Sequence, residues 1–164
     1  MNDTSAQRGF SLIELLVTIT VLAILLAMAL PAFSSSRLST VLRTSSNNLL
    51  ASAHLARGEA IKRNSPVTLC VSADGLVCGT GDWSQGWIVV SGADVIQREA
   101  AIPNQFHISS AGGDSYSFQP TGVDSTAGSF TICRATPVGT QERVVTIDAI
   151  GRAWVSRTSN AACP

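Results

Sequence analysis

Hydrophobic positions fall in three regimes along the chain. From Phe10 to Leu30 almost every residue is apolar and Glu14 is the single charge. At ~1.5 Å per helical residue this run reaches ~30 Å, the thickness of a bilayer core. From Pro31 to Asn64 the apolar or small residues recur every three or four positions, at Leu38, Val41/Leu42, Ser45, Leu49, Ala53, Ala56 and Ala60. That is one stripe of an amphipathic helix, with Arg37, Arg43, Asn47, Arg57 and Lys62 mostly elsewhere. Small residues in its later part suit close packing on a sheet, and Pro31 is expected to kink the helix. Asn64-Ser65-Pro66 is a stop signal.

After Pro66 the period drops to two. Strands are expected at Val67–Val71, Trp87–Ser91, Val95–Arg98, Phe106–Ser109, Tyr116–Gln119, Phe130–Arg134, Val144–Asp148 and Ala153–Arg157. Turns are expected at Gly92, Gly112-Gly113, Gly122, Gly128, Gly139 and Gly151. A helix followed by consecutive short strands predicts an α+β fold, a long N-terminal helix packed on antiparallel β-sheets. The expected organisation is residues 1–9 as a leader, 10–30 as a transmembrane segment, 31–64 as an amphipathic helix and 65–164 as an antiparallel β domain.

Lys and Arg number 11 and Asp and Glu 11, so the formal net charge is zero and no global field selects a polyanion. The distribution is uneven: basic before Cys70, acidic through the middle, and basic again from Phe130, where Arg134, Arg143, Arg152 and Arg157 face Glu142 and Asp148. Local pairing on a solvated surface accounts for most of this; head-to-tail complementarity between subunits is the sharper reading. Four cysteines, Cys70, Cys78, Cys133 and Cys163, all follow the apolar run and form no Cys-x-x-Cys pair. Their even number in an exported domain reads as disulfides rather than zinc. Of the three pairings, Cys70–Cys78 and Cys133–Cys163 are favoured.

A carboxylate inside an apolar helix costs on the order of 3 kcal/mol at a bilayer centre, so Glu14 demands a function. An ordinary secretory signal peptide leaves it unexplained, and the apolar run is too long for one. The stretch Arg8-Gly9-Phe10-Ser11-Leu12-Ile13-Glu14-Leu15-Leu16-Val17 resembles the class III prepilin signal of type IV pilins and type II secretion pseudopilins. The resemblance implies cleavage between Gly9 and Phe10 by prepilin peptidase and N-methylation of Phe10. It also implies a role for Glu14 in neutralising the Phe10 amine of a neighbouring subunit. With Arg8 on the cytoplasmic side, the β domain is expected in the periplasm, anchored by one pass of the bacterial inner membrane, then in a pilus or pseudopilus.

A second resemblance lies in the strands. Asp82-Trp83-Ser84-Gln85-Gly86-Trp87 looks like the Trp-x-x-Gly-Trp strand entry of the pseudopilin H and FimT/FimU family, and Phe118-Gln119-Pro120-Thr121-Gly122 like its Phe-x-Pro-x-Gly turn. Phe130–Cys133, and Val145–Asp148 followed by Gly151-Arg152, resemble its closing strands. The implied function is a minor type IV pilin that assembles with other minor and major pilins. The alternative within the class is a minor pseudopilin of type II secretion. The alternative of another class is a tip pilin that captures DNA, implied by a Gly-Arg-x-Arg motif in the family's tail. Here the stretch reads Gly151-Arg152-Ala153-Trp154, without the second arginine, and Arg157 is the next one. Along a strand Arg152 and Arg157 fall on opposite faces. The blander expectation is that Arg152 pairs with Asp148 and Trp154 is core.

No catalytic constellation emerges. His54 and His107 lack metal-ligand spacing. Gly81 to Gly86 is one residue too long for a Gly-x-Ser-x-Gly elbow, and no phosphate or dinucleotide loop occurs. No enzyme activity, metal or cofactor is expected.

Overall fold

The computed structural model describes residues 10–135, 141–158 and 163, with the backbone alone for residues 29–36. The expected leader, including Gly9, and the turn at Gly139 lie outside the described residues. The chain divides into two compact units, Met1–Leu38 and Ser39–Pro164.

A helix, α1, spans Leu12–Arg63. It starts where the Ser11 carbonyl accepts from the amides of Glu14 and Leu15, both at 3.1 Å. In the first unit the described aliphatic side chains of α1 are exposed all round, from Leu12 at 81% to Met28 at 70%. Among the described residues no helix is long and apolar enough to cross a membrane; the expected transmembrane segment extends to Leu30, beyond the last described side chain of that run, Met28. The helix runs through Pro31, and ends at Asn64, which adopts φ 49°.

The second unit is built on the later part of α1, where Leu42, Leu49, Ala53, Ala56 and Ala60 are wholly buried. Most of the side chains on this buried face are small. Among the described residues eight strands follow: β1 Val67–Val71, β2 Gly86–Ser91, β3 Asp94–Ala100, β4 Phe106–Ser110, β5 Ser115–Phe118, β6 Gly128–Arg134, β7 Glu142–Ile147 and β8 Ala153–Thr158. They form two four-stranded sheets, β3-β2-β1-β5 and β4-β6-β7-β8, with every pairing antiparallel. The α+β expectation holds.

The mainly aliphatic core of this unit holds an aromatic cluster. Trp83 meets Phe130 edge-on at 4.7 Å and Tyr116 at 5.8 Å between ring centroids, and its indole donates to the Gly113 carbonyl at 3.0 Å. Trp87, on β2, donates to Ser52 Oγ of α1 at 3.0 Å, which joins the first sheet to the helix through a buried hydrogen bond. Gly128 is the first residue of β6 rather than a turn. Its lack of a side chain makes room for Tyr116, whose hydroxyl oxygen lies 2.6 Å from where a Cβ would stand. The expectation of Trp154 as core is also corrected: it is 46% exposed. β8 is the edge strand of the second sheet, and Trp154 lies on the face opposite the buried Val145 and Ile147.

Candidate functional site

Three groups of residues are candidates, each on different elements. The first is the start of α1. Phe10 is 78% exposed, and Glu14 sits in the first helical turn, also exposed. A carboxylate there complements the partial positive charge of a helix N-terminus. Around it Leu12, Ile13, Leu15, Leu16 and Val17 are exposed, so an apolar helix surface carries one carboxylate and is left uncovered by the described residues. A helix that is apolar all round is stable only when something else covers it.

The second group is the C-terminal arginines. Arg152 Nε pairs with Asp148 Oδ2 at 3.0 Å, and its amide donates to Asp148 Oδ1 at 2.8 Å. Burial pushes the Asp148 carboxyl up, but the hydrogen bonds and charge of Arg152 outweigh it and hold the group below the usual carboxylate range. Arg157 is exposed on β8, directly across from Arg143 of β7. Arg152 precedes β8 and is spoken for, so the two arginines are not brought together.

The third group lines a cleft of about 210 Å³ beside Trp83 and His107. His107 Nδ1 lies 2.7 Å from Asp82 Oδ2. Asp82 is the N-cap of the 3-10 turn Trp83–Gln85, accepting from the Ser84 amide at 2.7 Å. Ser84 Oγ in turn accepts from the Ile108 amide at 2.8 Å. Each polar group here stitches the turn to β4. The sequence holds no signal for this pairing, because Asp82 and His107 meet only through the fold. His54 is exposed on α1. Among the described residues no group of His, Cys, Asp and Glu is placed to hold a metal ion.

The cysteines form two bridges, Cys70–Cys78 and Cys133–Cys163, each with Cα atoms 5.6 Å apart. The first closes a loop in which Asp74 Oδ1 accepts from the amides of Leu76 and Val77 at 2.8 and 3.2 Å. These bonds, that to Leu76 foremost, lower the Asp74 pKa. The second ties residue 163 to β6. The Trp-x-x-Gly-Trp segment enters β2 through the 3-10 turn, and Gly86 takes φ 114° there. A Cβ at Gly86 would lie 2.6 Å from the Glu99 carbonyl oxygen, so only glycine fits.

The chain is similar to known proteins in sequence and fold. The profile of the family described as Type II transport protein GspH matches residues 45–151. The profile described as the prokaryotic N-terminal methylation motif matches residues 4–30. A curated relative, the pilin-like protein PilA1 of Thermus thermophilus, is 41% identical over 69 residues. That stretch is 42% of this chain and 43% of the relative, so the chain spans less than half of the curated protein it matches. Among solved structures, the type IV minor pilin FimU of Pseudomonas aeruginosa superposes with TM-score 0.56 at 18% identity, over 70% of this chain and 87% of that one. The minor pseudopilin EpsH of the Vibrio cholerae type 2 secretion system gives TM-score 0.52 at 11% identity, over 70% and 95%. At these identities the two structures establish a shared pilin-like fold.

Proposed function

We propose, given that the chain belongs to the family of the type II transport protein GspH, that it works as a minor pilin of a type IV pilus, built into the filament through the first half of α1. The family is one of structural pilins and pseudopilins, and membership associates the chain with other pilins in a pilus or pseudopilus. The observation that carries the reading is the bare, largely apolar surface of α1 from Leu12 to Met28, in which Glu14 is the single charge. Before assembly the bilayer of the bacterial inner membrane covers this surface, with residues 10–30 as a single pass and the β domain in the periplasm. In the filament the equivalent helices of neighbours cover it.

In this reading prepilin peptidase cuts after Gly9, Phe10 is N-methylated, and the new amine meets Glu14 of an adjacent subunit. The exchange replaces a buried unpaired carboxylate by a buried ion pair, which is what makes the acid tolerable in an apolar bundle. The role is structural, and the His107–Asp82 pair and the disulfides serve the fold.

Mass spectrometry of the mature N-terminus, together with immunodetection in sheared filaments, tests the proposal. N-methyl-Phe10 and recovery with the filaments are expected. An uncut leader, or a cut beyond Ala27, overturns it. The type II secretion pseudopilus is the alternative within the class; deletion of the gene distinguishes the two, since a pilus subunit costs surface pili and a pseudopilin costs secreted protein. Capture of DNA draws no support from Arg152 and Arg157, because Arg152 is held by Asp148 and Arg157 stands apart from it on β8, across from Arg143.

A further inference from the structure

The second sheet carries three arginines where its face should be apolar, and a fourth approaches from α1. Ile108, Ile132, Arg143 and Arg157 are register partners across β4, β6, β7 and β8, so they stand in one row. Along β7 that face continues with the buried Val145 and Ile147, and along β6 with the buried Phe130. It is therefore the face that builds the core, and the arginines occupy its end. Arg134, two residues past Ile132, extends the same face. Arg43 of α1 is close enough for its charge to act on Arg143.

Arg143 is only 8% exposed, and Nε of Arg134 is buried with no hydrogen-bond partner. Arg43 and Arg157 are exposed. Among the described residues none of the four arginines has an ion pair or a side-chain hydrogen bond. Several carboxylates of this unit are engaged elsewhere. Glu142 is on the opposite face, where Oε2 accepts from the Thr158 hydroxyl at 2.9 Å while Oε1 is buried without a partner. Asp148 holds Arg152. Glu99 accepts from Asn48 and Gln97 at 3.3 and 2.9 Å, and Glu59 and Asp94 hold Arg63. Burial first, then the charges of Arg157 and Arg43, push the Arg143 pKa below its ordinary value. A guanidinium so placed is costly until an anion satisfies it.

From this juxtaposition we infer that the end of the second sheet, with Arg143 and Arg134 at its base and Arg43 and Arg157 at its rim, receives an acidic side chain of a neighbouring pilin subunit. The inference rests on the reading of the chain as a filament subunit and adds a second, polar contact to the apolar one made by α1. A side-chain carboxylate fits because arginine binds it through paired, nearly planar hydrogen bonds and the recessed base removes competing water. A nucleic-acid duplex needs exposed cations tracking its phosphates. Here the exposed tail arginine Arg152 is already neutralised, and half of the cluster is recessed.

The test uses the full chain in the bacterium that makes it. The variant Arg43→Glu/Arg157→Glu changes only exposed side chains, and unchanged membrane level and disulfide pattern verify its fold. Its recovery in sheared filaments should fall about tenfold, as like charges meet at the contact, while Arg43→Lys/Arg157→Lys should retain most of the wild-type level. A photo-crosslinking residue at position 157 should give an adduct with another pilin near an Asp or Glu. Changing that acid to Arg should restore recovery of the double-Glu variant. Recovery of the double-Glu variant at the wild-type level, adducts only with DNA, lipid or the chain itself, or failure of the charge swap each overturns the inference while leaving the filament reading intact. Wild-type protein absent from the filaments overturns both.

Discussion

The two halves of α1 are both rich in apolar residues, yet they solve burial differently. Between Leu42 and Ala60 the helix hides a narrow stripe of mostly small side chains against its own sheets. Between Leu12 and Met28 it displays large aliphatic side chains on every side. A stripe is a statement about the chain's own core; an all-round apolar surface is a statement about other molecules. In the proposed function the two halves of one helix separate what folds the subunit from what recruits it, and substitutions in each should have non-overlapping effects.

The largest effect should come from the core that the later half supports. Trp83→Ala removes the indole from between Phe130 and Tyr116 and leaves the Gly113 carbonyl unpaired, and should cost about 3–5 kcal/mol in denaturant unfolding of the full chain in detergent. A loss below ~1 kcal/mol would mean that this cluster does not hold the β domain together. Next, replacing Cys133 and Cys163 by Ala frees the tail and should lower stability by about 2–4 kcal/mol. Non-reducing peptide mapping of the wild type should give that bridge and Cys70–Cys78, and a Cys70–Cys133 peptide would contradict the pairing.

A smaller, local effect concerns pH. The amides of Leu76 and Val77, in that order, depress the Asp74 pKa, so the ionised form favours the folded loop. Its contribution is fully present above the ordinary aspartate range and is lost as pH falls through the lower folded value. The NMR shifts of the Leu76 and Val77 amides should titrate below the ordinary aspartate midpoint, and Asp74→Asn should abolish that titration. A midpoint at or above the ordinary value would remove the loop's dependence on this charge. The smallest effect on folding, essentially none, is expected for Glu14→Ala, because the side chain is exposed at the very start of the helix. Membrane insertion should persist and recovery in filaments should drop. Normal recovery would break the division between the two halves of the helix.

Much of this architecture is legible in the sequence because local pattern and final burial agree. Val67–Val71 is a dense β-branched run in the centre of a sheet, and it begins and ends where its pattern does. Asn64 stops the helix through a left-handed conformation that asparagine tolerates. What the sequence hides is everything set by partners distant along the chain. β5 lies beside β1 although three strands intervene, so the division into two sheets has no local signature. Gly128 reads as a turn because its reason is Tyr116, twelve residues earlier and on another strand. Trp154 reads as core because nothing local announces that β8 is an edge. The arginine cluster shows in the sequence only as a basic tail; its coherence requires the register that puts Arg143 opposite Arg157. Glu14 is conspicuous for the converse reason, since its oddity lies in its immediate neighbours.

The position of β1 has a mechanical consequence. It follows α1 after only Asn64, Ser65 and Pro66, and it is hydrogen-bonded on both flanks, to β2 and to β5. Tension on the later part of the helix therefore reaches β1 through three residues. Displacing β1 has to break ladders on both flanks, where an edge strand would give up one. The chain thus passes from the helix into the sheet at an interior strand rather than at an edge.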